Sequence, residues 1–231
     1  MSNVIQNNIP VIAIDGPSAS GKGTVAQLAA SRLGFHYLDS GALYRIVAWA
    51  TQQRNIAWDD AIAVTECAKT LIIEFINEQV FLNNTDISNE IRTEAIGKGA
   101  SQVAVHAPLR AALLDMQHGF CRAPGLVADG RDMGTVVFPN AELKIFLTAK
   151  TETRAQRRYQ QLLAKNQVSL DFSNTYGSIL QDLLERDARD KNRASAPLTL
   201  ADDAILLETD NLSISAAVDN VLYNFQQKIS K

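Results

Sequence analysis

The sequence predicts an α/β fold, a parallel sheet flanked by helices. Short apolar runs alternate with segments of helical periodicity, and the first run leads through a glycine turn straight into a helix. That order of strand, turn, helix and strand argues for right-handed crossovers within one parallel sheet. Hydrophobic residues make up 46% of the 231, enough for a single substantial core, so residues 1–231 are expected to form one domain.

Taken in order, the polar tail 2–8 is expected to be loose. Pro10-Val11-Ile12-Ala13-Ile14-Asp15 then reads as a buried strand that ends at Gly16. Val25, Leu28, Ala29 and Leu33 recur at helical spacing over 21–33, and Gly34 stops that helix. Residues 35–38 form a second short strand, and Asp39-Ser40-Gly41 opens a helix through residue 49. Near residue 70 the texture changes. Residues 70–75 and 79–82 read as strands about the turn Ile76-Asn77-Glu78, and the next turn, 83–86, keeps the antiparallel character. Helices over 93–105 and 108–121 follow, so residues 71–105 read as a lobe inserted into the core. The core resumes with 125–129 and 143–147, two apolar runs suited to central strands. Helices at 152–165 and 175–193, a strand at 204–207 and a helix at 213–229 complete the chain.

Composition narrows the function. A formal charge of -3 gives no global attraction to nucleic acid or an anionic membrane, so a phosphate-binding protein of this composition must concentrate positive charge locally. Cys67 and Cys121 lack metal-ligand spacing, as do His36, His106 and His118, and free thiols are expected. Residues 1–9 do not resemble a secretory leader, and no apolar run reaches the roughly 18 residues of a membrane span. A cytoplasmic protein is expected.

The strongest motif is Gly16-Pro17-Ser18-Ala19-Ser20-Gly21-Lys22-Gly23-Thr24. It fits G-x-x-x-x-G-K between a strand and a helix, the context of an ATP-binding P-loop, and makes the sheet P-loop NTPase-like. Backbone N–H groups and the helix N-terminus cradle phosphates, while Lys22 reaches the β- and γ-phosphates. Gly23 stands where the common pattern has Ser or Thr. Thr24 is therefore assigned to phosphate, and its contact with magnesium is left open. The run Leu126-Val127-Ala128-Asp129 ends an apolar strand in an acid, which places Asp129 near Mg²⁺, through water. Gly130-Arg131-Asp132-Met133-Gly134 follows at the edge where parallel sheets bind ligands.

Two further patterns are positional. Ile179, Leu183, Arg186, Asp190 and Arg193 share one helix face that begins apolar and turns charged, so the face must leave the core for solvent or for a cleft. Arg154, Arg157 and Arg158, at i, i+3 and i+4, form a basic patch suited to a transferring phosphoryl group.

These residues carry a family resemblance. GPSASGKGT (16–24), LDSGALYR (38–45), EIRTE (90–94), ASQVA (100–104), ADGRDMGTVVFP (128–139), KIFLTA (144–149) and ERDARDKNRASAPL (185–198) resemble bacterial cytidylate kinases over essentially the whole length. The resemblance implies a core (about 9–70, 106–150 and 173–231), an inserted monophosphate-binding lobe (71–105) and a short lid (151–172). It implies ATP-dependent phosphorylation of CMP and dCMP with Mg²⁺. Ser40, Tyr44, Arg45 and Arg131 are expected at the acceptor's phosphate. Ser101, Arg110, Asp132 and Arg193 are expected at the base, and Arg186 and Asp190 at the pentose. Lys22, Arg131, Arg154, Arg158 and Asp129 are the expected catalytic set. A monomer is expected, with no nucleic-acid or membrane partner. The rival acceptors are UMP, AMP and shikimate, and the rival class is a nucleotide-sensing switch.

Overall fold

The protein is described by a computed structural model over residues 9–76, 79–164 and 172–230. The expectation for 2–8 and the centre of the turn at 77–78 lie outside them, as do residues 165–171 of the expected lid.

Strand β1 (Val11–Asp15) runs through Gly16–Gly21 into helix α1 (Lys22–Leu33), and β2 (His36–Asp39) passes directly into α2 (Ser40–Gln53). Helix α3 (Ala61–Lys69) precedes a small antiparallel sheet of β3 (Ile73–Ile76), β4 (Gln79–Leu82) and β5 (Thr85–Asp86). Helices α4 (Glu94–Val103) and α5 (Ala107–His118) lead back to β6 (Leu126–Gly130) and β7 (Leu143–Thr148). The chain ends through α6 (Thr151–Ala164), α7 (Phe172–Asn192), β8 (Ile205–Glu208) and α8 (Ile214–Ile229).

The main sheet has the order β2-β6-β1-β7-β8, with every neighbouring pair parallel. Strand alternation separates two cores. Ile12, Ile14, Val127, Ile145 and Leu147 pack with Val25, Ala29 and Val218 from α1 and α8. Val11, Ala13, Leu126 and Ala128 pack with Leu43, Val47, Leu109 and Leu113 from α2 and α5. Both faces of β1 and β6 are therefore apolar, which explains why these two strands read as continuous runs, whereas β7 buries Leu143, Ile145 and Leu147 on one face and leaves Lys144, Phe146 and Thr148 half-buried on the other.

The structure departs from the sequence reading in a few places. Helix α2 extends to Gln53 rather than residue 49, and α3 was not predicted. Its buried stripe is only Val64, Thr65, Cys67 and Ala68, too short to stand out as a helical pattern. Strand β6 continues to Gly130 because its ladder with β1 runs on to the pair Asp15 and Gly130. Beyond it, Met133–Val137 forms one turn of π-helix, an element the sequence reading did not assign. Among the described residues no helix is long and apolar enough to cross a membrane.

Candidate active site

Strand β1 lies between β6 and β7, and the chain leaves it through the glycine-rich turn at the carboxyl end of the sheet. This is the edge at which a parallel sheet leaves a crevice. Gly16 is obligatory there, since a Cβ on it would lie 2.0 Å from the Leu147 carbonyl oxygen. Gly21, with φ of 92°, begins α1 without a side-chain cap, so the first N–H groups of the helix remain available to an anion. Lys22 Nζ donates to the Pro17 carbonyl at 3.3 Å within the loop. Burial lowers its pKa, and Arg131 adds to that effect.

A cleft of about 910 Å³ opens beside this loop. Its walls hold Lys22, Ser40, Tyr44, Arg45, Ser101, Arg110, Asp129, Arg131, Asp132, Arg158, Arg186, Asp190 and Arg193. The charged face of α7 thus turns into a cleft rather than into solvent, and Ile179 and Leu183 line it as well.

Three clusters divide the cleft. In the first, Asp132 is paired with Arg110 and lies 3.5 Å from Arg193, all three buried. Arg110 also stands over the Tyr44 ring, 5.6 Å from its centroid. Asp15 fixes this group from below: its two carboxylate oxygens accept from the Met133 and Gly134 backbone N–H groups, each at 2.8 Å. Burial pushes the Asp15 carboxyl up to about 6.

In the second cluster, Arg131 donates to Asp190 and to Ser18 Oγ, both at 2.7 Å, tying the phosphate loop to α7. Burial works against ionisation of Asp190, but Arg131, Arg193 and Arg186 hold its pKa below the usual carboxylate range. The Arg186 guanidinium has no hydrogen bond or ion pair among the described residues. Burial, with Arg131, Arg45 and Arg158 nearby, pushes it down to about 10. Arg45 donates to the carbonyls of Ile91 and Thr93 at 2.9 and 3.3 Å. It fits because position 97 is glycine, where a Cβ would meet Arg45 Nη2 at 3.0 Å. Tyr44 Oη is buried without a partner among the described residues. Guanidiniums packed at this density, with a hydroxyl left unsatisfied, describe a site built for an anion with several oxygens.

The third cluster concerns metal. Asp129 is buried at the end of β6 and accepts from Tyr37 Oη at 2.6 Å. Burial raises its pKa, and neighbouring Asp39 adds to the rise. Among the described residues no three His, Cys, Asp or Glu side chains group as metal ligands. Two carboxylates alone suit Mg²⁺, which keeps water and phosphate oxygens in its shell.

The sequence patch on α6 separates on folding. Arg154 is buried and fully engaged, with Asp187 at 2.6 Å, the Ser18 carbonyl at 3.0 Å and the Ala149 carbonyl at 3.0 Å. It braces the phosphate loop and does not line the cleft. Arg158 pairs with Glu94 and faces both the main cleft and a second cavity of about 300 Å³. That cavity lies on the other side of the phosphate loop, lined by Ser20, Gly21, Thr24, Arg157, Thr209, Leu212 and Ile214. Arg157, expected with its neighbours to face a transferring phosphoryl group, instead donates to the Ser20 carbonyl at 3.1 Å and lines this smaller cavity. Ser101, expected at the base, accepts from Arg189 at 3.0 Å.

Asp15, Tyr37 and, in the smaller cavity, Thr209, Leu212 and Ile214 had no place among the candidate site residues of the sequence. Only Asp15 had a visible signal, an acid closing a strand beside the loop. The others depend on contacts between distant segments.

The chain matches the family model described as cytidylate kinase over residues 12–227. It is 54% identical over 220 residues to the cytidylate kinase of Chromobacterium violaceum, covering 95% of this chain and 97% of that protein. Identity is 53% over 222 residues with the cytidylate kinase of Polynucleobacter asymbioticus, covering 96% and 99%. With that of Burkholderia multivorans it is 55% over 213 residues, covering 92% and 91%.

Proposed function

Because this chain belongs to the cytidylate kinase family, we propose that it transfers the terminal phosphoryl group of ATP to CMP and dCMP, giving CDP and dCDP. The observation that carries this reading is the convergence of Lys22, Arg45, Arg131, Arg158 and Arg186 on one cleft, with the Arg186 guanidinium unpaired among the described residues.

The acceptor's phosphate is already anionic, so no general base is required and the work is positioning and charge stabilisation. ATP phosphates lie on the loop 16–24 and its lysine, with the adenine in the smaller cavity beside Thr24 and Arg157. The CMP phosphate lies among Ser40, Tyr44, Arg45 and Arg131, its oxygen in line with the γ-phosphorus. Lys22, Arg158 and Arg186 stabilise charge on the transferring group. Ion pairs must exchange partners when CMP enters. Arg110 and Arg193, now satisfied by Asp132, donate to N3 and O2 of cytosine, while Asp132 accepts from its exocyclic amine. Arg131, now on Asp190, turns to phosphate and leaves Asp190 for the sugar hydroxyls, with Arg186 alongside. Asp129, through water, and Asp39 face the Mg²⁺ that accompanies ATP. When bound, the metal draws charge from the β- and γ-phosphates.

Residues 71–105 then serve as the acceptor's lobe and 151–172 as the lid, closing to exclude water from the transfer. Arg154 is reassigned from direct catalysis to bracing the phosphate loop. A cytoplasmic monomer fits this reading.

The test is ADP release with ATP and each nucleoside monophosphate and deoxynucleoside monophosphate. CMP and dCMP are expected to exceed all others in kcat/KM. Faster turnover of UMP or AMP would move the specificity away from the Asp132 cluster, and no turnover with any acceptor would favour a nucleotide-sensing switch.

A further inference from the structure

We propose that Tyr37 is a positioning residue whose phenol hydroxyl occupies the place of the serine or threonine hydroxyl that ordinarily follows the phosphate-loop lysine. In that place it orients the metal-facing carboxylate. The proposal rests on reading Asp129 as that carboxylate.

Gly23 occupies the position that carries a hydroxyl in the common form of the loop. A Cβ built on Gly23 lies 3.6 Å from Tyr37 Oη and 3.9 Å from each carboxylate oxygen of Asp129. Tyr37 Oη thus sits within contact distance of where a side chain at residue 23 would start, beside the same carboxylate. Thr24 does not serve instead, since it lines the smaller cavity.

The tyrosine reaches this place through sheet register. Tyr37 is opposite Val127 in the parallel pair of β2 and β6, and Asp129 is two residues further along β6 on the same face. The ring packs against the apolar layer beneath α1, so the hydroxyl is held in place. It donates to Oδ1 of Asp129 at 2.6 Å, and Oδ2 has no protein hydrogen bond among the described residues. One carboxylate oxygen is fixed by a charge-assisted bond, leaving the other for a metal-bound water. The oxygen donor that other loops carry at the start of the helix is here supplied by the neighbouring strand.

The experiment uses the full chain with Mn²⁺ as a paramagnetic substitute and a non-hydrolysable ATP analogue. Metal binding is followed by electron paramagnetic resonance, with a thermal melt to verify folding. Tyr37→Phe removes one oxygen and keeps the ring. It is expected to weaken nucleotide-dependent Mn²⁺ binding roughly 10-fold or more, with KM for CMP within about twofold of wild type because the acceptor cluster is untouched. Gly23→Ser combined with Tyr37→Phe returns a hydroxyl to the vacated space and is expected to recover most of the lost affinity. Unchanged Mn²⁺ affinity in a folded Tyr37→Phe protein overturns the proposal, as does a double variant that binds no better than the single one. If wild type shows no nucleotide-dependent Mn²⁺ binding, the reading of Asp129 itself is wrong.

Discussion

Asp15 ends β1 one residue before the phosphate loop and holds the Met133 and Gly134 N–H groups, so one carboxylate fixes the segment that carries Asp132. Its folded pKa of about 6 lies above the ordinary 3.8, and the ionised form is therefore a cost to stability. That cost, on the order of 3 kcal/mol, is absent below about pH 4 and fully present above about pH 6. Function runs the other way. Protonation leaves one good acceptor for two N–H donors, so KM for CMP is expected to rise as pH falls through about 6 while KM for ATP changes less. Asp15→Asn should show the raised KM at every pH, and an unchanged KM for CMP in that variant would remove Asp15 from the acceptor site. Asp132→Asn can present either amide end to the base, so the CMP/UMP ratio of kcat/KM is expected to narrow at least tenfold, chiefly through CMP. Equal loss for both acceptors would instead mark Asp132 as support for phosphate geometry. Lys22→Ala is expected to lower kcat by hundreds-fold, about 3 kcal/mol or more, in a folded protein.

Helix α4 packs on one side against Arg45 and Trp58, and its small residues decide how closely. Gly97 faces the Arg45 guanidinium, and Gly99 faces the Trp58 ring at 2.5 Å from a would-be Cβ. The arginine tip can shift, so Gly97→Ala is expected to fold normally and raise KM for CMP. Trp58 is held by its indole N–H on the Ala48 carbonyl at 3.0 Å and cannot retreat. Gly99→Ala should therefore destabilise by about 1–3 kcal/mol, seen as a lower Tm with little change in KM. Reversal of these two outcomes would exchange the roles of the two glycines. On its other side α4 reaches α6 and α7 through Glu94 to Arg158, Lys98 to Asp182 at 2.9 Å, and Ser101 to Arg189. Helix α4 is thus joined to α6 and α7 across the cleft by polar contacts, which can exchange with water and ligand at little net cost.

Across the whole molecule the charge is uneven: the chain carries a net -3, yet seven cationic side chains line one cleft against six carboxylates. A dianionic acceptor is drawn to that cleft against the overall charge. Salt screens such attraction over roughly 8–10 Å at physiological strength. KM for CMP is therefore expected to rise several-fold between low and high salt, with kcat changing less. A flat KM would mean that contact hydrogen bonds alone capture the acceptor.

The sequence by itself determined the parallel sheet, the phosphate loop and the family. Each is local or periodic: alternating apolar runs, a glycine turn between strand and helix, and contiguous motifs such as DGRDMGTVVFP. It also placed the charged face of α7, because helical spacing alone aligns Ile179 through Arg193. Tertiary structure alone decided which way that face points and which arginines are free. Arg154 and Arg158, one turn apart on α6, look equivalent in sequence, yet Arg154 is consumed by Asp187 and two carbonyls while Arg158 opens onto both cavities. Tyr37 over Asp129 and Asp15 under Met133 join segments 92 and 118 residues apart. Such pairings are set by strand register and helix packing, for which neither composition nor spacing carries a signal.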